Sequence, residues 1–148
     1  MGMRRKSREL ALQTLYSLSF EPVDDYLGML SIIDKTSPRL LEIADREDID
    51  SESPIFEFAG NILLNTVKNI ISIDDEIKNH TKNWSFDRIA ALDKNLLRIA
   101  AYEIIYTETP VPIVIDEAVE ISKKYCSEKS GKFINGILNA IGKDCEKK

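Results

Sequence analysis

Residues 93–105, Asp93-Lys94-Asn95-Leu96-Leu97-Arg98-Ile99-Ala100-Ala101-Tyr102-Glu103-Ile104-Ile105, decide the fold. No glycine or proline interrupts them, and Leu96, Leu97, Ile99, Ala100, Ala101, Ile104 and Ile105 leave no wide polar face. At about 100° per residue, apolar positions nearly all round a helix mark one surrounded by others. A central helix needs neighbours, and the chain supplies them on both sides.

Toward the C-terminus, Thr109-Pro110-Val111-Pro112 ends this helix. Ile115, Ala118 and Val119 predict another from Ile113 to Cys126. Val111–Ile115 is rich in β-branched residues, but Pro112 would spoil a strand ladder. Ser127–Gly131 reads as a connection with Ser130 as a helix cap. Ile134, Ile137, Leu138 and Ile141 then predict a last amphipathic helix, with a charged, frayed tail from Gly142.

Toward the N-terminus, Asn83-Trp84-Ser85 breaks the pattern. Ser85 is expected to cap a short helix over Phe86–Leu92, and Trp84 to be buried at a junction. Ser53-Pro54 is a strong helix start, with serine as cap and proline at the first helical position. Phe56, Ala59, Gly60, Leu63, Leu64, Val67, Ile70, Ile71 and Ile77 keep helical period to about Lys82. Gly60 costs roughly 1 kcal/mol against alanine there, which points to a close helix contact. Residues 34–53 are polar and acidic around Pro38 and read as a loop with a helical turn near Leu40–Ala44. Val23, Leu27 and Leu30 predict a short helix before it, fading toward Ile33, and Pro22 ends the first helix. That first helix carries Leu10, Ala11, Thr14, Leu15 and Leu18 on one stripe. Arg5, Lys6, Glu9, Gln13 and Tyr16 fall on the opposite face by angle. Arg4 and Arg8 lie toward the buried side, within the first turns.

The expected architecture is all-α: about seven helices in two packed sub-bundles of one domain over residues 1–148. The sub-bundles span about 1–82 and about 83–142, divided near Trp84. A 43 % hydrophobic content in 148 residues supports a core and argues against disorder. No apolar run approaches the roughly 18–20 residues of a membrane span. Two cysteines without metal-like spacing and without an export signal fit a reducing cytoplasm.

Little in the sequence points to catalysis. His80 is the one histidine and stands on a polar turn, with no cysteine at ligand spacing, which disfavours a zinc site. Adjacent carboxylates such as Asp74-Asp75 and Asp116-Glu117 point about 100° apart on a helix. Asp116 and Glu117 read more simply as acids near a helix start. Gly131-Lys132 lacks the rest of a phosphate loop.

Charge, by contrast, is segregated. The net charge is −5, yet residues 1–8 hold Arg4, Arg5, Lys6 and Arg8 and no acid. Lys123, Lys124, Lys129 and Lys132 form a second basic cluster, with only Glu128 among them. The acids Glu42, Asp45, Glu47, Asp48, Asp50, Glu52 and Glu57 gather around one Arg46. Such segregation can localise a polyanion on one face while others repel it. Tyr16 and Phe133, each beside a basic cluster, are the kind of ring on which an unstacked RNA base lies. Each feature also has a plain reading, as a solvated basic helix end or a rim aromatic of the core.

Several blocks together resemble the NusB family of transcription antitermination factors. They are Arg4-Arg5-Lys6-Ser7-Arg8-Glu9 with Leu15-Tyr16, Asn83-Trp84 with Arg88, and Asp93-Lys94 with Leu96–Ala100. Val114–Glu120 continues the pattern, and Ser130-Gly131-Lys132-Phe133-Ile134-Asn135-Gly136 is its most specific block. The resemblance implies a non-enzymatic protein, and no cofactor or metal is expected. It implies binding of the single-stranded boxA element of nascent ribosomal-type leader RNA together with the ribosomal protein NusE, and through them a link to RNA polymerase and other Nus factors. A homodimer covering the basic helix is a further state it suggests. RNA contacts would fall on Arg4, Arg5, Lys6, Arg8, Tyr16, Lys129, Lys132 and Phe133, and a NusE surface near Asp93. The basic start of the first helix and the start of the last helix are expected to serve one site. Two departures stand out: Lys129 where many relatives carry an acid, and Cys126 where glycine is common. A helical interaction adaptor that touches no RNA is the alternative that the net acidity suggests.

Overall fold

The apolar segment at 93–105 forms the middle of a helix whose side chains from Asn95 through Ile104 are all buried. The computed structural model describes residues 2–19, 26–81 and 85–146. Its helices are α1 (Gly2–Leu18), α2 (Tyr26–Arg46), α3 (Pro54–Lys68), α4 (Ile70–Asn79), α5 (Ala91–Tyr106), α6 (Val111–Tyr125) and α7 (Ser130–Glu146), with a 3-10 turn at Phe86–Arg88. Among the described residues there is no strand, so the fold is all-α. No described helix is long and apolar enough to cross a membrane.

The chain divides into two compact units, Met1–Ile71 and Ser72–Lys148, so the division falls inside α4 and ahead of Trp84. Asn83 and Trp84 lie outside the described residues, as do Pro22 and Val23. In the first unit α1, α2 and α3 pack pairwise around Leu10, Leu12, Leu15, Ile32, Leu40, Leu63 and Val67. In the second, α5, α6 and α7 pack pairwise around Leu96, Leu97, Ile121, Ile134 and Leu138.

Several boundaries differ from the sequence reading. The segment read as an acidic loop is helical: α2 runs unbroken through Pro38. Pro38 is exposed, so its ring faces water, while Met29, Ile32, Thr36, Leu40 and Ile43 bury the other side. Burial of that stripe outweighs a proline cost of about 3 kcal/mol. Asp48, at φ 55°, then turns the chain so that the Ile49 N–H reaches the Ala44 carbonyl at 2.8 Å.

The long helix expected from Ser53 does start there, with Ser53 Oγ accepting the Phe56 N–H. It breaks at Asn69, however. The Asn69 side chain donates to the Asn65 carbonyl at 2.7 Å and competes with the helical ladder, and α4 begins afresh. Ile70, Ile73 and Ile77 are buried across the break, while Ile71 is 40 % exposed. Gly60 makes the expected close contact, its position lying 3.4 Å from Leu40 Cδ2 for an added methyl.

In the second unit Ser85 makes no side-chain cap, and α5 starts at Ala91 rather than Asp93. Helix α6 begins two residues early, at Val111, because Pro112 fits a first turn where its missing N–H costs nothing. Asp116 and Glu117 therefore lie beyond its first turn, and Glu117 is buried. Residues beyond Gly142 stay helical to Glu146, since Gly142 is buried against Val111.

Candidate nucleic-acid interface

The expected RNA residues form two patches, one in each unit. On α1, Ser7 fixes the helix start: its hydroxyl lies 2.9 Å from the Met3 carbonyl and 3.0 Å from that of Ile55, and donates to either. This sets the first turn of α1 beside the first turn of α3. The exposed Arg4 guanidinium stands 4.1 Å above the Phe58 ring. Arg8 lies 5.9 Å from the same ring and is only 5 % exposed, as its helical angle indicates. Met3, Arg4, Ser7, Pro54, Glu57 and Phe58 line a cavity of about 280 Å³. Arg5 and Tyr16 are half-exposed on the far side. Lys6 lies 3.7 Å from Glu47, which also accepts from Gln13 at 3.2 Å. Glu9, expected outward, is 7 % exposed. Glu47, just after α2, engages Lys6 and Gln13 on that face, a packing contact that helical angle alone does not show.

The second patch is the turn between α6 and α7. Lys129 and Lys132 are exposed, Phe133 is half-buried, and Ser130 is buried. Ser130 is not the expected cap. Its hydroxyl lies 2.9 and 2.8 Å from the two carboxylate oxygens of Asp93 on α5, and donates to them. Ser127 Oγ lies 3.1 Å from Ser130 Oγ and extends the chain of hydroxyls back into the turn. Asp93, expected at a partner surface, is thus 9 % exposed and holds the turn to α5. The Cys126 thiol beside it is pushed up to about 12, by burial first, then by its hydrogen bond to Asp93 and that group's charge. It stays a neutral thiol. Around this anchor Arg88, Lys129, Lys132 and Phe133, with Ile89 and Ala90, line an open cavity of about 510 Å³. The arrangement is an apolar hollow with a ring in its wall, cations at its rim and its carboxylate engaged below. It can take a flat, uncharged group flanked by anions.

From sequence, Arg88 enters only as part of a family block and not as a site residue. A lone arginine after a pattern break carries no periodic signal. Sequence also gives no sign of a third gathering of cations around Phe86: Lys94 at 4.4 Å, Lys78 at 5.0 Å and Arg98 at 5.8 Å from the ring. Burial, and then Arg98, hold the Lys94 ammonium below the usual lysine range. Arg98 itself is committed inward, with Nε and Nη2 donating to Asp74 at 2.7 and 2.8 Å.

Known proteins resemble this chain in sequence and in fold. The model of the NusB family matches residues 5–143. Transcription antitermination protein NusB of Geotalea uraniireducens is 37 % identical over 142 residues, 95 % of this chain and 94 % of that one. The solved structure of T. maritima NusB superposes with a TM-score of 0.77 at 34 % identity, over 95 % of this chain and 91 % of that one. A chain from the crystal structure of antitermination factors NusB and NusE in complex with double-stranded RNA gives 0.79 at 28 % identity, over 97 % and 98 %. With Arg5, Lys6 and Arg8 of α1 and its Ser130–Phe133 block inside the matched span, the chain belongs to the NusB family.

Proposed function

We propose that this protein is a non-enzymatic transcription antitermination factor of the cytoplasm that binds boxA-type single-stranded RNA together with NusE, and through them joins RNA polymerase and other Nus factors. The observation that carries the reading is the hollow at the α6–α7 turn, where Phe133 stands among Arg88, Lys129 and Lys132. A base unstacked from a single strand lies on the ring while its phosphates meet the cations. Arg4, Arg5, Lys6, Arg8 and Tyr16 supply the second contact. Arg8 acts mainly through the Phe58 ring on which Arg4 also lies, since little of it reaches solvent. Asp93, equally covered, serves the NusE side through the turn it fixes. A structure of NusB and NusE with RNA among the fold's neighbours supports both partners.

The test is fluorescence anisotropy with labelled boxA RNA, with and without NusE, across a salt series. Phe133→Ala weakens binding by roughly 1–3 kcal/mol, the range of one base stacked on one ring. Lys129→Ala with Lys132→Ala leaves folding intact, because both side chains are exposed. It lowers the slope of log affinity against log salt by about 0.7 for each phosphate that is no longer neutralised. Unchanged affinity and slope in both variants overturns the assignment. NusE capture with no RNA affinity selects the adaptor reading instead.

A further inference from the structure

His80, the one histidine, stands just after α4 with 13 % of its side chain exposed. It is more covered than a surface turn residue, and both ring nitrogens are engaged. Nδ1 lies 2.8 Å from the Glu76 backbone carbonyl. Nε2 lies 2.6 Å from Oδ2 of Asp144, in the last turns of α7. A carbonyl oxygen only accepts, so Nδ1 carries the ring's N–H. In a neutral ring Nε2 then points a lone pair at a carboxylate, which is repulsive unless a positive charge lies between them.

The side chain of Glu76 joins the same place. One ligand atom each from Glu76, His80 and Asp144 lie within 4.8 Å of one another. Two carboxylate oxygens that close repel each other unless a cation lies between them. A second ring proton would answer Asp144 but bring only one positive charge to two carboxylates. A divalent cation answers both and accepts the Nε2 lone pair.

We propose that Glu76, His80 and Asp144 form a divalent-metal site of the zinc class, with one nitrogen and two oxygen ligands and water completing the shell. Imidazole with carboxylates suits zinc and its borderline neighbours, whereas magnesium and calcium prefer all-oxygen shells. The Glu76 carbonyl on Nδ1 is the second contact by which proteins fix the tautomer of a metal-binding histidine. Zinc bonds of about 2.0–2.2 Å require Asp144 Oδ2 to draw back from Nε2 by under about 1 Å. Asp144, half exposed, has the room to do so. Sequence spacing disfavours such a site because the partner carboxylate comes from another helix, 64 residues on. The ion would tie the end of α4 to the end of α7 inside the second unit.

The experiment titrates tag-free, metal-stripped full-length protein with zinc chloride, with magnesium chloride as control. Calorimetry and the imidazole signals of the ¹H–¹³C spectrum are read together, and with one histidine those signals need no assignment. One equivalent of zinc is expected to move them and raise the melting temperature, and magnesium to do neither. His80→Gln and Asp144→Asn each weaken zinc binding by at least about tenfold, with folding checked by circular dichroism. Cys145→Ser, which removes the thiol next to Asp144, leaves binding unchanged. Imidazole signals that ignore zinc reduce the cluster to a hydrogen-bonded His80–Asp144 pair and overturn the proposal. So does zinc binding that survives in His80→Gln or disappears in Cys145→Ser.

Discussion

The two units fasten their charged groups in different ways. In the first, much of the fastening is at the surface: Arg4 lies on Phe58, Lys6 stands 3.7 Å from Glu47 with both side chains 34 % exposed, and Arg39 lies 3.6 Å from Glu42. Arg8 and Glu9 are drawn in below them. In the second unit, charged groups close the interior. Arg98 grips Asp74 through two bonds and reaches Asn95 with a third, and both oxygens of Asp93 face Ser130. Exposed pairs contribute roughly 0–1 kcal/mol. A buried pair that loses one member leaves a charge with neither water nor partner. The first unit therefore presents cations that can exchange a protein contact for a phosphate. The second holds a turn rigid so that Lys129, Lys132 and Phe133 keep their places.

Breaking the buried pair tests this contrast most strongly. Asp74→Ala is expected to cost about 3–5 kcal/mol in urea unfolding, because Arg98 stays buried and unpaired. Lys6→Ala is expected to cost less than about 1 kcal/mol. Replacing both members, Asp74→Leu with Arg98→Met, restores much of the loss, since no stranded charge remains. Equal costs for Asp74→Ala and Lys6→Ala would erase the distinction between the units.

The thiol at the turn gives the next largest effect. Burial and Asp93 hold Cys126 at about 12, above the ordinary value of 9.0. With Cys145→Ser as background, iodoacetamide at pH 8.5 should modify native Cys126 at least about a hundredfold more slowly than the unfolded chain, because thiolate is the nucleophile. The sign of the linked stability follows. Folding favours the neutral thiol, so this contribution is whole below about 9 and is lost as pH rises toward about 12. Equal alkylation rates would mean that the turn opens freely and that Asp93 does not fix it.

What could be read from the sequence divides along similar lines. The α1 stripe was legible because Leu10, Ala11, Thr14, Leu15 and Leu18 are one helical face, and all five are buried. The core of α5 and the inner positions of α7 were legible for the same reason. Pro38 misled, because a proline's cost depends on whether it faces water, and local sequence does not say which side of α2 is covered. Asn69 misled in the opposite sense: the apolar period runs on through a break made by one side-chain hydrogen bond. At the candidate interface, Lys129, Lys132 and Phe133 were singled out through composition and resemblance, and they line one hollow. Their anchor was not, because Asp93 and Ser130 lie 37 residues apart and meet only through packing. Arg88 enters the same hollow by the same route.

The helix seams offer a finer comparison. In the second unit, a methyl added at Gly142 would lie 2.7 Å from Val111 Cγ1. Valine is stiff about its first torsion, so α6 and α7 must part to admit it. Gly142→Ala is expected to destabilise by about 1–3 kcal/mol, an overpacking cost. In the first unit, the same methyl at Gly60 meets only Leu40 Cδ2, at 3.4 Å, and that atom is the far end of a flexible side chain. Alanine is favoured over glycine inside a helix by about 0.8–1.0 kcal/mol. Gly60→Ala should therefore be neutral or raise stability by less than about 1 kcal/mol, as judged by urea midpoints at constant slope. Opposite signs at the two helix seams would mean that α6 and α7 are locked at one spacing while α2 and α3 can adjust. A loss of more than about 1 kcal/mol in Gly60→Ala would show instead that both seams are closed to a methyl, and that the units differ in how they hold charge but not in how tightly they pack.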